Sequence, residues 1–269
     1  MNFTKRFIVT PGRKAHMAKR DPSATPGLDG KSAAAEQLAR NLERLAELQY
    51  RFYAEGKRSL LIVLQAMDAG GKDGTIRHVM GALNPQSCRV TSFKVPSAEE
   101  RAHDFLWRIH QAVPGKGEIG IFNRSHYEDV LIVRVHQLVP PALWAARYDQ
   151  INRFERHLAD NGTTILKFFL HISKDEQRAR LQARLDDPAK KWKITAADVA
   201  ERRFWNDYTA AYEEALSRCS TAWAPWFVIP ANKKWFRNLA VSAILVEALE
   251  KLNPQFPKPA AGIARLKIR

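Results

Sequence analysis

The stretch Ser59–Thr75, SLLIVLQAMDAGGKDGT, constrains the fold more than any other part of the chain. Its apolar run Leu60–Leu64 has the length of a buried parallel strand and is too short to span a membrane. A glycine turn follows, Ala69-Gly70-Gly71, then Lys72, then Asp73, Gly74 and Thr75 opening a helical stretch, Thr75–Met80. Strand, glycine turn, lysine and helix together make a phosphate holder. Glycines let backbone amides close on oxygen atoms, the helix start adds partial positive charge, and the lysine reaches the transferred group.

The match to G-x-x-x-x-G-K-[ST] is imperfect in an informative way. Ala66 stands at the first glycine, and Asp73 stands where a hydroxyl should follow the lysine, the nearest hydroxyl being Thr75. A carboxylate within the loop, Asp68, would repel bare phosphate, so it fits a loop in which magnesium lies between them. A plain tight turn between strand and helix would need the glycines but not the lysine.

A polyanionic partner follows from charge. The 269 residues carry 43 Lys+Arg against 28 Asp+Glu, a net +15, on an otherwise ordinary globular composition of 45% apolar and 26% charged residues. Nucleic acid, an anionic membrane surface and a phosphate-rich substrate all satisfy that balance. Cys88 and Cys219 form no disulfide framework or metal cluster, and Phe7-Ile8-Val9 is too short for a signal-peptide core. A cytoplasmic protein without membrane association is expected.

Along the chain, residues 1–33 lack any period and read as a basic arm lying across the body. Leu38, Leu42, Leu45, Leu48 and Phe52 have helical spacing over Ala34–Glu55, with the leucines directed to the core. Strands are expected at Arg89–Val95, Glu118–Phe122, Thr163–Ile172 and Trp226–Pro230. Helices are expected from Ser97, at Pro141–Asp160, Ser173–Arg184, Ala196–Ser217 and Trp235–Leu252. Phe204, Trp205, Tyr208 and Tyr212 sit at core spacing. Alternation of strand and helix gives an α/β fold, a parallel sheet with helices on both faces, in which ligands bind at the strands' carboxyl ends. Three such ends carry polar groups: Asp68–Lys72, Asn123-Arg124, and His171. Beyond His171, Arg178, Arg180, Arg184, Lys191 and Lys193 surround a helix break and read as a lid that closes cations over a charged transition state. Glu128 and Asp129 are candidate metal ligands beside Asn123, with Asp68 the better one. His126 is assigned no role.

Five motifs carry a resemblance: DAGGKDGT (Asp68–Thr75), FNRSHYED (Phe122–Asp129), EQRARLQARLDDPAKKWK (Glu176–Lys193), APW (Ala224–Trp226) and KKWFRN (Lys233–Asn238). Spread in order over about residue 4 to Pro259, they resemble the family-2 polyphosphate kinases. The resemblance implies a P-loop kinase-like, thymidylate-kinase-like core with a helical lid, in one kinase domain over 1–269. Its parts would be an arm and helix (1–57), the P-loop core (58–172), the lid and following helix (173–222), and the last strand, helix and tail (223–269). It implies transfer from inorganic polyphosphate to nucleoside mono- and diphosphates with Mg2+, or Mn2+ in its place, by a homo-oligomer (dimer or tetramer) that binds no nucleic acid.

Carried over residue by residue, Asp68, Gly71 and Lys72 match the Walker A segment, with Asp68 holding magnesium or orienting the acceptor phosphate and Lys72 on phosphate; Ala69, Gly70, Asp73, Gly74 and Thr75 complete that loop. Arg124 matches the Walker B arginine. Arg180 and Arg184 match the lid arginines, and Lys191 and Lys193 the lid lysines. Most of the family has aspartate where this chain has Asn123 and asparagine where it has Glu128, a pair that resembles the third class, which accepts both AMP and ADP. Catalytic duty is therefore expected of Asp68, Lys72, Arg124, Glu128 and Arg180. A conventional ATP-dependent nucleoside or nucleotide kinase is the alternative. A basic nucleic-acid-binding protein with a degenerate loop is a further one, without a helix-turn-helix, zinc-finger or RNA-binding signature to support it.

Overall fold

Leu60–Leu64 lies at the centre of the sheet, in a strand, β1 (Ser59–Gln65), whose seven residues are all buried. The structure, a computed structural model, describes residues 2–28, 30–263 and 266. Four further strands, β2 (Cys88–Ser92), β3 (Ile119–Asn123), β4 (Thr163–His171) and β5 (Trp226–Pro230), complete a parallel sheet in the order β2-β3-β1-β4-β5. β3 and β4 therefore flank β1, and the chain leaves these neighbours in opposite directions. That is the switch point at which open parallel sheets form a crevice beyond their carboxyl ends.

The helices, in chain order, are α1 (Phe3–Phe7), α2 (Lys31–Glu55), α3 (Lys72–His78), α4 (Ala98–Ala102), α5 (Trp107–His110), α6 (Ile132–Val135) and α7 (Pro141–Asp160). They continue with α8 (Lys174–Asp186), α9 (Ala196–Glu201), α10 (Trp205–Cys219) and α11 (Lys234–Leu252). α11 packs against α1, α2 and α3, while α10 packs against α6 and α7, so helices flank the sheet. The α2 leucines Leu45 and Leu48 are buried with Phe52, as the spacing requires. No helix of the described residues is long and apolar enough to cross a membrane.

Two expectations need correction. The first 33 residues do not merely lie across the body. Phe3, Phe7 and Val9 are buried, Phe3 and Phe7 contact the Phe236 ring, and Ile8 bridges Phe227 antiparallel while the Val9 amide donates to the Trp226 carbonyl at 2.8 Å. The arm thus covers the free edge of β5, which would otherwise expose unpaired backbone groups. The helix expected at Ala196–Ser217 is interrupted by a tight turn at Arg202–Phe204.

β4 hides a charge within its apolar run. Lys167 is fully buried and donates to Glu155 Oε2 at 2.5 Å, the Tyr127 hydroxyl at 2.8 Å and the Cys219 carbonyl at 2.7 Å. Glu155 also bonds His126 and Tyr127. A buried ammonium is tolerable only when so paired. The network ties the turn after β3 to β4 and α7, and it fixes His126 in the core.

Candidate active site

The loop after β1 owes its shape to its two glycines, for different reasons. A side chain at Gly70 would lie 2.4 Å from the Ala66 Cβ, whereas Gly71 has φ +107°, a left-handed conformation. Ala69 takes φ 58°, a strained value for a residue with a Cβ. What holds this backbone is a set of donors behind it. Gln177 Nε2 donates to the Asp68 carbonyl at 3.1 Å, and Arg180 Nη1 to those of Ala69 and Gly70 at 3.0 and 3.1 Å. The Thr75 hydroxyl donates to the Gly71 carbonyl at 3.1 Å. Four consecutive carbonyls are thereby occupied, and the first amides of α3 have no acceptor within their own helix.

In front of the loop lies a cavity of about 620 Å³. Its wall runs from Asp68 to Gly74 and continues through Lys94, Asn123, Arg124, Arg184 of α8, Lys190 and Lys193 just after it, and Lys234. A second, smaller cavity of about 200 Å³ opens between Met67, Glu128, Leu131 and Ile132 on one side and Arg202, Trp205, Tyr208 and Tyr212, before and on α10, on the other. Asp68, Arg124 and Asp198 line both. The two spaces, one basic and one aromatic, meet at these three residues.

At this junction Arg124 Nη2 lies 3.3 Å from Asp68 Oδ1. Burial alone would lower the guanidinium's pKa, but the Glu128 and Asp68 carboxylates outweigh it, so the value is raised and the charge secured. Arg124 takes φ 63°, a further strained residue at the centre. Lys72 donates to the Ala66 carbonyl at 3.2 Å, and burial lowers its pKa against the opposing Asp68 carboxylate. A bound polyanion would reverse that shift. Glu128 accepts from Gln65 Nε2 at 3.1 Å, a buried amide at the end of β1.

Most of the expected residues converge here, and several do not. Thr75 is buried behind the loop. Arg180 lines neither cavity; besides the loop carbonyls it reaches those of Ala231 and Asn232 and pairs with Glu176, so it braces the loop. Lys191 is exposed outside the larger cavity, and Lys190 stands there instead. Asp129 pairs with Arg147 at 3.0 Å away from both spaces, its pKa pushed up to about 6 by burial. His171 is turned from the crevice to the Arg20 carbonyl. Trp205, Tyr208 and Tyr212 do belong to the core as read, Tyr212 buried in it and the other two packed against it, and they also line the smaller cavity.

Sequence reasoning missed Lys94, Lys234 and Asp198, and it missed the buried Arg237, whose guanidinium lies against Gly71 and Gly74. Burial, reinforced by Arg180, lowers the Arg237 pKa to about 10. Of these, only Lys234 and Arg237 carried a signal, inside the KKWFRN motif.

The family model of polyphosphate kinase 2 matches residues 29–257. The chain belongs to the polyphosphate kinase 2 family. It is similar to the AMP/ADP-polyphosphate phosphotransferase of Meiothermus ruber, 56% identical over 98% of this chain and 99% of that one. It is also similar to the ADP-polyphosphate phosphotransferase of Rhodopseudomonas palustris, 47% identical over 99% and 97%. The crystal structure of polyphosphate kinase 2 from Arthrobacter aurescens superposes with a TM-score of 0.95 at 47% identity, covering 98% of this chain and 95% of that one. For a polyphosphate kinase 2, a phosphate loop facing a basic cavity is the expected arrangement, and the fold is the P-loop kinase-like one.

Among the described residues no three His, Cys, Asp or Glu side chains stand together to hold a metal alone. Magnesium does not require that. It commonly takes one or two carboxylates and completes its shell with water and substrate phosphate. Asp68, a third exposed at the junction, fits that arrangement.

Proposed function

We propose that this chain transfers the terminal phosphoryl group of inorganic polyphosphate to AMP and ADP, giving ADP and ATP. The observation that carries the reading is the meeting of a basic and an aromatic cavity at Asp68 and Arg124. Polyphosphate suits the larger, where Lys72, Lys94, Arg124, Arg184, Lys190, Lys193 and Lys234 outnumber Asp68, Asp73 and Asp198. A polymer with about one charge per phosphate is held by many cations at once, and its affinity falls steeply with salt. The nucleoside suits the smaller, where Trp205 and Tyr208 offer flat apolar surface and Arg202 a cation.

Phosphoryl transfer asks the protein for alignment and charge. Lys72 and the loop amides bind the donor's terminal phosphates. Arg124, within reach of both cavities, stabilises the charge that develops between donor and acceptor. Asp68 would hold magnesium, which when bound supplies charge neutralisation between this carboxylate and the phosphate oxygens. Arg180, Gln177 and Arg237 keep the loop in its strained shape, and Glu128, oriented by Gln65, faces the acceptor.

The relatives' names and the third-class residues Asn123 and Glu128 support both AMP and ADP as acceptors. We infer a cytoplasmic location, where both nucleotides are found, and a homo-oligomer, for which light scattering is the test. The activity itself is tested with magnesium polyphosphate and AMP in the absence of ATP. ADP followed by ATP is expected. Product formed only when ATP replaces polyphosphate would instead establish the conventional kinase.

A further inference from the structure

Three carboxylates line the larger cavity, and their partners differ. Asp68 pairs with Arg124. Asp198 Oδ2 accepts from the Thr195 amide at 2.7 Å and the Thr195 hydroxyl at 2.8 Å, closing the cap of α9. Asp73 has no ion pair among the described residues; its hydrogen bond comes from a neutral amide, Asn123 Nδ2, 2.9 Å from Asp73 Oδ1.

Both members of this contact are departures from a pattern. Asp73 follows the loop lysine, where the phosphate-loop template has a metal-binding hydroxyl. Asn123 ends β3, where most of the resembling family has an aspartate. Taken singly each is unfavourable: an exposed carboxylate in a polyanion cavity repels the substrate, and an asparagine lacks the charge to hold a cation. Taken together they compensate, because the carboxylate is retained one side chain away. An aspartate at 123 would set two carboxylates in contact. An asparagine donates instead, fixing Asp73 Oδ1, while Oδ2 accepts no hydrogen bond among the described residues.

We propose that Asp73 is a second carboxylate, besides Asp68, through which this site engages a divalent cation on the donor side, with Asn123 the amide that aims it. The inference rests on the transfer reading above. A role for Asp73 confined to the first turn of α3, as a negative charge at a helix start, would affect stability alone.

The test uses four full-length proteins: wild type, Asp73→Asn, Asn123→Asp and the double exchange, each checked for fold by circular dichroism. Mn2+ binding is followed by the electron paramagnetic resonance of free Mn2+, with tripolyphosphate present and nucleotide absent. The Mg2+ giving half-maximal transfer from polyphosphate to ADP is measured alongside. Asp73→Asn is expected to weaken Mn2+ binding about 10-fold or more and to raise the half-saturating Mg2+ in step. The double exchange is expected to return both to within about threefold of wild type, since the pair is restored in reverse. Asn123→Asp alone should bind Mn2+ at least as tightly as wild type. Unchanged Mn2+ affinity in Asp73→Asn, with only thermal stability lost, would overturn the proposal, as would a double variant that binds Mn2+ no better than Asp73→Asn alone. Either result in a wild type active on polyphosphate leaves the transfer reading standing. A wild type inactive on polyphosphate whose Mn2+ binding still depends on Asp73 overturns the transfer reading and keeps the metal assignment.

Discussion

Adding one methyl group at Gly71 challenges the support of the phosphate loop from two directions. Gly71 has φ +107°, and an alanine Cβ there would lie 2.0 Å from Arg237 Nη1 and 3.1 Å from its Cζ. Arg237 has no open route away: it is 2% exposed, and its Nε and Nη2 donate to Asn238 Oδ1 at 3.1 and 2.8 Å. The left-handed backbone costs about 1–3 kcal/mol. Displacing a packed buried group adds about 1–3 kcal/mol. Gly71→Ala should therefore lose about 2–6 kcal/mol in urea unfolding, with transfer from polyphosphate falling at least tenfold as the loop moves. The paired variant Gly71→Ala with Arg237→Met removes the collision but keeps the backbone strain, so about half the stability should return. A single variant within about 0.5 kcal/mol of wild type would refute this account of the loop.

Lys72→Ala and Asp68→Asn should each lower turnover by orders of magnitude with the fold intact by circular dichroism; near-normal rates in either would remove that residue from the site. Glu128→Ala should impair AMP phosphorylation more than ADP phosphorylation, because Glu128 lines the acceptor-side cavity, and equal losses with both acceptors would count against its assignment. His126 is fully buried, and burial holds its imidazole below the ordinary value of 6.5, against the opposing hydrogen bond to the Glu155 carboxylate. As pH falls below 6.5 the unfolded chain takes up a proton that the native imidazole refuses, so stability falls by up to about 1.4 kcal/mol per pH unit until the native pKa is reached. Urea midpoints at about pH 7.5 and about pH 5.5 should show a smaller acid loss in His126→Gln than in wild type. Identical slopes would place the acid sensitivity elsewhere.

The parts of the fold that were legible are those whose signal is local. The helix at Pro141–Asp160 is bracketed by Pro140-Pro141 and Asn161-Gly162, and the cap at Ser173 is read from its own residues, with the Glu176 amide donating to the Ser173 hydroxyl. β1 and its glycine turn announce a phosphate loop because strand, loop and lysine are contiguous. What escaped depends on partners far along the chain. The N-terminal arm has no period of its own, and its order comes from Phe236 and β5. Arg180 belongs to an arginine run that reads as a lid facing phosphate, yet the loop carbonyls more than a hundred positions earlier capture it. Trp205, Tyr208 and Tyr212 have the spacing of a buried helix face, and periodicity does not show that such a face is also the wall of a cavity. Lys94, Asp198 and Lys234 come from three different segments, so only the folded sheet brings them to one space.

Donor and acceptor occupying separate cavities that meet at Asp68 and Arg124 is tested most directly by a kinetic cross. KM for polyphosphate and for ADP is measured in wild type, in Lys234→Ala and in Trp205→Ala. Removing a cation of the larger cavity should raise KM for polyphosphate about tenfold and leave that for ADP within about twofold. Removing the aromatic wall of the smaller should do the reverse, by about 1–3 kcal/mol of lost stacking on the base. Both constants rising together in both variants, or the two variants exchanging their effects, would contradict the placement.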